Sequence, residues 1–382
     1  MKPRVVLLSQ EVHPIPPLKG AAVEQWIDAV AARLDGFEPH VVSVPHPDLP
    51  DRQVVGGVHY RRIRIGAAYK RLFRKLTRLD PYPYVARVAR YACEIEADII
   101  HVHNAPHFVD PLMRAAPAAR MLLHMHNEKD PIPPSRVDLF AGCSAYIVDW
   151  FRRRQLRAGD FTVLPNGVDP ARFAPSGETA VREARARFGL PPGRTIILYV
   201  GRISPEKGPD LLVAAFRRLD PRNYHLVLAG EWPRADPRRS ERAAFAQRLK
   251  EQLAGLPVTV IDGVAPAEMP GIYRLGDMVV IPSRFEEPFS MVAIEAMACG
   301  VPVLALRKGG MAEYLQDGEN AIVLPSDSDA ASIAEAIEAA RLGRDTCDRI
   351  AQTARRFVQG RFAWEIVVEA TERAYRSVLG AR

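Results

Sequence analysis

Short apolar runs rich in β-branched residues recur along the chain and alternate with stretches of helical character. Most of these runs are continuously apolar, which is typical of strands that helices cover on both faces of a parallel sheet. Alternation of such strands with helices predicts an α/β fold. In chain order, the runs span Val5–Ser9, His40–Val44, His59–Ile65, Ile99–His103, Met121–His126, Phe161–Leu164, Thr195–Val200, His225–Ala229, Val258–Ile261, Met278–Ile281, Val303–Leu306 and Ala321–Leu324.

A turn-rich segment divides the runs into two groups. Leu164–Glu178 reads LPNGVDPARFAPSGE, and its Pro, Gly and Asn residues favour turns. We interpret it as an interdomain linker, because a chain of 382 residues is long for one domain and sufficient for two. Ligands of doubly wound sheets bind beyond the carboxyl ends of the strands, so we expect the functional residues to follow strands.

Composition excludes several classes of protein. With 48% hydrophobic and 25% charged residues, the chain can bury a sizeable core and does not resemble a disordered protein. It has no apolar run long enough to span a membrane, and the apolar stretch Val5–Leu8 is too short for a signal peptide. The four cysteines form no C-x-x-C pair, which suits a reducing compartment and predicts a cytoplasmic protein. A net charge of +7 is compatible with an anionic substrate or membrane surface and does not require nucleic acid.

The most specific pattern follows the run Met278–Ile281. We expect a loop and then a helix that Ser290 caps, that extends to about Ala298 and that Gly300 ends. A helix N-terminus placed after a strand is a ready anion site, because its free N–H groups and its dipole both favour negative charge.

Two carboxylates flank this predicted anion site. Glu287 lies in the loop and Glu295 in the second helical turn. The axial rise from Met291 to Glu295 is roughly 6 Å, about the span from a diphosphate to a ribose. Carboxylates accept hydrogen bonds from hydroxyls, so Glu287 could bind a sugar and Glu295 a ribose. The alternative is an ordinary capped helix with a solvated Glu295.

A second pattern follows the run Thr195–Val200. Gly201 ends the strand, and Arg202 and Lys207 flank a turn before a helix that starts near Asp210. Two cations at a strand–helix turn suit a diphosphate. A solvated basic loop is the alternative.

These patterns resemble those of the retaining glycosyltransferases of family 4, and the resemblance covers nearly the whole chain. The family has the GT-B fold, in which two Rossmann-like domains face each other across a cleft and the C-terminal helix crosses back to the N-terminal domain. The resemblance implies an N-terminal, acceptor-side domain over residues 1–168, a nucleotide-sugar-binding domain over 169–360 and a returning helix over 361–382. The matching segments are G-R-x-x-x-x-K-G with Arg202 and Lys207, the Glu-x7-Glu pair Glu287 and Glu295, the stretch Pro302–Glu313, and the linker phrase Val163–Asp169.

The resemblance also implies a set of donor-binding residues. Arg202 and Lys207 would bind the donor diphosphate, and Phe289, Ser290 and Met291 would bring the helix start to it. Ser290 departs from the family, which has Gly after this Phe, but its N–H can still face a phosphate. In the first half, Lys19-Gly20 stands where the family has Gly-Gly, and Gly20 keeps the freedom for close backbone approach.

Two histidine pairs follow strands of the first half. HVHN contains His101 and His103, and HMHN contains His124 and His126. The spacing of two places both members of each pair on one side of a strand, which also suits a metal, although no convincing carboxylate completes such a site. The resemblance favours no metal and places His126 beside the transferred sugar. His103 is a weaker candidate for acceptor contact, and His101 and His124 are expected to be structural.

A basic segment lies in the first half. Arg61–Arg78 carries eight Lys or Arg and no acid, and Tyr69, Leu72, Phe73 and Leu76 recur at helical spacing. This pattern predicts an amphipathic basic helix. It could bind the anionic inner face of a membrane, grip an acidic acceptor, or form a surface helix whose apolar stripe faces the core.

The resemblance implies sugar transfer with retention, in which the nucleotide-diphosphate-sugar is a substrate and no cofactor is used. Arg202, Lys207 and the helix N-terminus could replace a divalent metal, so we expect metal independence. The acceptor, a glycan, a lipid-linked molecule or a small molecule, is not identified, and cell-envelope glycan synthesis is the expected setting. The alternatives are a nucleotide-sugar epimerase or phosphorylase of the same fold, and a non-catalytic nucleotide-sugar binder.

Overall fold

The computed structural model describes residues 2–18, 21–77, 82–236, 238 and 240–380. The chain forms two compact units, one made of Met1–Gly167 with Trp364–Arg382 and the other of Val168–Ala363. The chain therefore passes from one unit to the other between Gly167 and Val168 and again between Ala363 and Trp364. The sequence placed these domain limits at residues 168 and 360. The predicted linker segment begins in the first unit and ends in the second.

The first unit is built on an eight-stranded sheet among its described residues, in the order β3-β4-β2-β1-β5-β6-β7-β8. All neighbours are parallel except β3 and β4. The strands are β1 (Arg4–Leu8), β2 (Glu38–Ser43), β3 (Arg52–Val55), β4 (Val58–Arg62), β5 (Ile99–His103), β6 (Arg120–Met125), β7 (Val137–Gly142) and β8 (Ala158–Val163). The helices are α1 (Ala22–Ala31), α2 (Ala67–Thr77), α3 (Tyr82–Glu94), α4 (Val109–Ala115), α5 (Ala145–Arg153) and a C-terminal helix, Trp364–Gly380.

The C-terminal helix packs into the core of this first unit. Its residues Trp364, Val367, Tyr375 and Val378 are buried in the same apolar cluster as Trp26 of α1. Because residues three and four apart share one face of a helix, this spacing produces the apolar stripe that holds the helix there. The sequence prediction that the final helix belongs with the N-terminal domain is therefore confirmed.

The second unit is built on a six-stranded parallel sheet among its described residues, in the order β11-β10-β9-β12-β13-β14. The strands are β9 (Thr195–Val200), β10 (Tyr224–Gly230), β11 (Val258–Asp262), β12 (Met278–Ile281), β13 (Val303–Leu306) and β14 (Ile322–Leu324). The helices are α6 (Glu178–Arg187), α7 (Pro209–Phe216), α8 (Glu241–Gln252), α9 (Met269–Tyr273), α10 (Met291–Ala298), α11 (Ala330–Leu342) and α12 (Arg344–Arg361). Strands β9 and β12 are neighbours, so the loops that follow them meet at one edge of the sheet.

The basic segment forms less helix than its sequence predicts. Arg61 and Arg62 belong to strand β4, and Arg62 is buried, donating to the carbonyls of Pro50 and Ile15. Helix α2 therefore begins only at Ala67, and Arg78 lies outside the described residues. Among the described helices, none is long and apolar enough to cross a bilayer.

Candidate functional site

The loop after β9 places two predicted cations at the edge of the sheet. Gly201 and Gly208 both have positive φ, which lets the chain turn sharply on either side of the 3-10 turn Pro205–Lys207. At Gly208 no other residue fits, because a Cβ there would lie 2.1 Å from the carbonyl oxygen of Pro282. Arg202 is exposed at the start of this loop, and Tyr199 donates its hydroxyl hydrogen to the Arg202 carbonyl.

The two sequence patterns of the second half meet at Lys207 and Glu287. The Lys207 Nζ lies 2.7 Å from Oε1 of Glu287, and their side chains are 21% and 5% exposed. Ser283 donates its hydroxyl hydrogen to the same carboxylate oxygen, an interaction that sequence reasoning missed. Arg284 further ties the loops together through an ion pair with Asp210. The cation and carboxylate predicted for diphosphate and sugar are thus held side by side.

A third loop closes over the backbone of Glu287. The Gly310 N–H donates to the Glu287 carbonyl at 2.6 Å, and the Gly309 N–H donates to the Glu286 carboxylate. Gly309 has a φ of +49°, and a Cβ there would lie 2.4 Å from the Glu287 carbonyl oxygen. This close approach therefore requires glycine at position 309, the first of the Gly-Gly pair in the predicted stretch Pro302–Glu313.

The start of α10 differs from its prediction. Ser290 has a φ of +72° and a ψ of +95°, and its side chain makes no capping hydrogen bond to the described residues. The prediction that Ser290 caps the helix is wrong, because a capping side chain needs extended backbone to reach the N–H groups of the first turn. The backbone of this turn is instead fixed by Tyr314, whose hydroxyl donates to the carbonyls of Phe289 and Ser290.

The residues around Ser290 divide between core and surface. Phe289 is 4% exposed, and its ring packs against Tyr314 and Phe362 with centroids 5.4 and 5.1 Å apart. Its aromatic side chain thus anchors the loop, so any contact with a ligand would involve its backbone. Met291, the first residue of α10, is only partly buried.

Glu295 is not the solvated residue of the alternative interpretation. Its side chain is partly buried, and Tyr273 donates a hydrogen bond of 2.7 Å to its Oε2. Burial raises the pKa of Glu295 to about 7, despite the lowering effects of the Tyr273 hydrogen bond and the charge of Arg172. No sequence motif pointed to Tyr273, because it lies on α9 and not beside the Glu-x7-Glu pair.

The histidines of the first unit form one buried group. His101, His103, His124 and His126 all lie on the same face of β5 and β6 or just beyond, and His103 stands opposite His124 in the strand register. Trp26 packs against them, with centroids 4.8 Å from His103 and 4.9 Å from His124. Burial lowers the pKa of each histidine, in His126 to about 4, so the rings are neutral at physiological pH.

His126 is held by partners at both ring nitrogens. Its Nδ1 lies 3.1 Å from Oδ1 of Asn166, and its Nε2 lies 3.2 Å from Nδ1 of His103. Asn166 belongs to the linker phrase that the sequence singled out, although its contact with His126 was not foreseen. Gly20, the remaining predicted donor residue, lies outside the described residues together with Lys19.

Two groups among the described residues could supply three metal-ligating atoms. One is the buried set His101, His103 and His124, and the other is the partly exposed set Glu38, His40 and His59. In the second group, His40 Nε2 already bonds to the Glu38 carboxylate at 2.9 Å.

Comparison with protein families and known proteins gives matches along most of the chain. Residues 180–357 match the model of the glycosyl transferases group 1, and residues 23–172 match that of Glycosyltransferase Family 4. The chain is 31% identical to the lipopolysaccharide 1,2-N-acetylglucosaminetransferase of Salmonella typhimurium over 97% of both chains.

Two solved structures show the same fold. Sucrose-phosphate synthase from Thermosynechococcus elongatus aligns over the whole of both chains with a TM-score of 0.79 and 24% identity. An Anabaena protein in complex with UDP-glucose aligns with a TM-score of 0.74 and 20% identity, over 98% of this chain and 99% of the other. The two parallel-sheet units are therefore those of the GT-B fold.

Proposed function

Since the chain belongs to the glycosyl transferases group 1 family, we propose that it transfers a sugar from a nucleotide-diphosphate donor with retention at the anomeric carbon and without a metal. The observation that supports this most strongly is the Lys207–Glu287 pair, together with the exposed Arg202 earlier in the same loop as Lys207. In this pair, a carboxylate that could bind sugar hydroxyls lies next to a cation that could bind the diphosphate. The Anabaena neighbour binds UDP-glucose, so a UDP-sugar is the first donor to test.

Charge stabilisation by the protein would take the place of a metal. As the bond between the sugar and the diphosphate breaks, negative charge develops on the leaving oxygen. A cation about 4 Å away contributes roughly 4 kcal/mol at an effective dielectric of 20, before desolvation. Arg202 and Lys207 would take this role, and the N-terminus of α10 would add its dipole.

The retaining step would occur on one face of the sugar. The acceptor oxygen bonds to the anomeric carbon on the side from which the diphosphate leaves, and the departing phosphate oxygen takes the acceptor's proton. This route needs no protein nucleophile. Glu287 suits a binding role in it, because its carboxylate is already committed to Lys207 and Ser283.

Two further residues would contact the donor, Glu295 through hydrogen bonds and His126 through the face or edge of its ring. Glu295 would accept hydrogen bonds from the ribose hydroxyls when it is ionised. His126 would contact the transferred sugar as a neutral ring, because a pKa of about 4 makes it a poor proton donor and acceptor near neutral pH.

The acceptor is proposed to be a glycan of the cell envelope. The support is the relative from Salmonella typhimurium, which matches along nearly its whole length and acts on lipopolysaccharide. The exposed cations of α2, Arg71 and Lys75, would suit an anionic glycan of this kind or the membrane that carries it.

The test begins with a thermal-shift screen of nucleotide diphosphates and their sugars. The stabilising donor is then incubated with the protein alone, with phosphate and with envelope glycan acceptors. Transfer to a glycan, with NMR showing the donor's anomeric configuration in the product, supports the proposal. Conversion of the donor alone would identify an epimerase, sugar 1-phosphate formation a phosphorylase, and donor binding without any turnover a non-catalytic binder.

We also propose that α2 docks on an anionic membrane surface. Tyr69, Leu72 and Leu76 are 51%, 56% and 73% exposed, so these three residues of the apolar stripe do not pack in the core as those of an ordinary surface helix would. Arg71 and Lys75 are exposed as well. A helix with exposed apolar residues on one side and cations on the other suits the interface of a membrane rich in anionic lipid.

Vesicle binding tests this docking surface. The protein should bind vesicles containing anionic lipid at low salt and release them as salt screens the charges. Changing Lys70, Arg71, Arg74 and Lys75 to Gln should abolish binding while donor hydrolysis changes by no more than a few-fold. Wild-type protein that ignores anionic vesicles would refute membrane docking, and slower transfer to a soluble anionic acceptor by the Gln variant would then assign the helix to that acceptor.

A further inference from the structure

The hydrogen bonds of the buried histidine group determine which ring nitrogens carry hydrogen. Asn166 Oδ1 can only accept, so the hydrogen between it and His126 belongs to Nδ1 of His126. The neutral ring of His126 then has a lone pair on Nε2, which must accept from Nδ1 of His103. Nε2 of His103 is therefore left with a lone pair.

The same reasoning applies to the other two rings. His124 Nε2 lies 3.0 Å from the carbonyl oxygen of Leu164 and must donate to it, which leaves a lone pair on Nδ1. His101 Nδ1 lies 2.7 Å from the hydroxyl of Tyr375. When His101 donates in that contact, its Nε2 also carries a lone pair.

These three nitrogens have no hydrogen-bond partner among the described residues. They are Nε2 of His101, Nε2 of His103 and Nδ1 of His124, and all three side chains are 0% exposed. A buried polar atom without a partner costs free energy and requires an explanation, such as a bound ion. Hydrogen bonds to the described residues do not provide this explanation, because the partner that each ring has is bound to its other nitrogen.

We propose that His101, His103 and His124 together bind one transition-metal ion of the kind that prefers imidazole, with Zn²⁺ as the best candidate. One nitrogen of each ring lies within 4.8 Å of one nitrogen of each other ring. Three imidazoles around a tetrahedral Zn²⁺ at about 2.0–2.1 Å stand roughly 3.4 Å apart. The three nitrogens must therefore move towards one another to bind the ion, and a water would supply the fourth tetrahedral ligand.

The surroundings of the three rings are those of a metal site. Histidine ligands usually donate their second ring N–H to a carbonyl or another acceptor, which fixes the tautomer. Leu164, His126 and Tyr375 occupy those positions.

The second metal-ligating group is a poorer candidate and supplies a matched control. Glu38 is shared among His40, Arg4 and His59, with Arg4 Nε only 3.8 Å from the carboxylate. A cation there would compete with an existing cation, whereas the buried group has free lone pairs. The His59→Gln variant therefore disrupts the competing site and leaves the proposed one intact.

Metal retention is the direct test. The purified full-length chain is stripped with a chelator, incubated with Zn²⁺ alone and passed through metal-free buffer before its zinc content is measured. We expect about one ion per chain in the wild type and in His59→Gln. His124→Gln and His101→Gln each remove a proposed ligand and should bind Zn²⁺ more weakly than the wild type. The loss in affinity should exceed the roughly 10–100-fold that follows when only a residue hydrogen-bonded to a metal ligand is removed. If His59→Gln loses its zinc and His124→Gln keeps it, the assignment is wrong.

Co²⁺ provides a second measurement that does not depend on the folding of the variants. Bound to three buried imidazoles, Co²⁺ should give the intense visible absorption of a four-coordinate site, and Zn²⁺ should displace it. The proposal is wrong if the wild-type protein leaves the pale spectrum of hydrated Co²⁺ unchanged and retains no Zn²⁺. That result would indicate that a buried water bonds to the three nitrogens instead.

Discussion

Lys207 and Glu287 form an ion pair with 2.7 Å between Nζ and Oε1, although 80 residues separate them in the chain. Strands β9 and β12 are neighbours in the sheet, so the loops that follow them reach the same edge. The pair is largely shielded from water, and the Ser283 hydroxyl donates to the same carboxylate oxygen. In the absence of donor, the ion pair satisfies both charges and holds them at the proposed donor site.

Replacing Lys207 or Arg202 with Ala should each lower turnover by about two to three orders of magnitude. The reason is the loss of roughly 3–4 kcal/mol of charge stabilisation in the transition state. Steady-state kinetics with the donor found by the thermal-shift screen measures the effect. Arg187→Ala, an exposed cation of α6, is the matched control and should retain normal turnover. Near-normal turnover in both site variants would remove the diphosphate assignment.

Donor affinity should depend on pH through Glu295. Burial raises its pKa to about 7 in the free protein, and only the ionised carboxylate accepts hydrogen bonds from both ribose hydroxyls. Affinity should therefore fall as pH decreases from 8 to 6, when Glu295 takes up a proton. Calorimetric titration with the nucleoside diphosphate across this range measures it, and Glu295→Gln should bind more weakly without that slope. A slope that persists in the Gln variant would belong to another group.

Chelation should leave turnover intact. The two cations and the helix N-terminus at the proposed phosphate site can stabilise the leaving group without a metal. Transfer assayed after EDTA treatment should match the untreated rate, while the thermal midpoint falls if an ion is stripped from His101, His103 and His124. Loss of transfer on chelation that Mg²⁺ or Mn²⁺ restores would contradict the metal-free mechanism.

The sequence predicted the parallel α/β organisation and the position of the two second-half patterns directly after strands, because both depend on local rules. Continuous apolar runs identify buried parallel strands, and residues that follow adjacent strands lie at one edge. Contacts from elsewhere in the chain were not predictable in this way. Tyr273 reaches Glu295 from α9, and Asn166 reaches His126 from the linker, and no local pattern links either pair.

Two strands of the first sheet escaped prediction for different reasons. Strand β3, Arg52–Val55, is a short, largely exposed edge strand, so it lacks a buried apolar run. Strand β7, Val137–Gly142, is interrupted by Asp138, whose carboxylate accepts hydrogen bonds from the Met121 N–H and from Arg120. A charged residue within a strand obscures its pattern in the sequence, although here its partners on β6 satisfy it.

Replacing Ser290 with Gly should stabilise the protein. Ser290 has a φ of +72°, a backbone conformation that a residue with a Cβ adopts at a cost of about 1–3 kcal/mol and that Gly adopts freely. The Ser290 side chain makes no capping hydrogen bond to the described residues that would be lost with it. We therefore expect the free energy of unfolding to rise by about 1 kcal/mol in chemical denaturation, after allowance for the greater flexibility of Gly in the unfolded chain.

The Ser290→Ala variant distinguishes the effect of the backbone conformation from that of the side-chain hydroxyl. Alanine keeps the Cβ and so keeps the strain, and it should give no gain in stability. If Ala stabilises the protein as much as Gly does, the backbone conformation is not the cause. Donor affinity adds a second measurement. If the Ser290 hydroxyl contacts the donor phosphate, its loss should weaken donor binding in both variants. If only the backbone N–H makes the contact, donor binding should be unchanged in both. Stability and donor affinity measured on the same three proteins thus distinguish strain at the start of α10 from a direct role of the serine side chain.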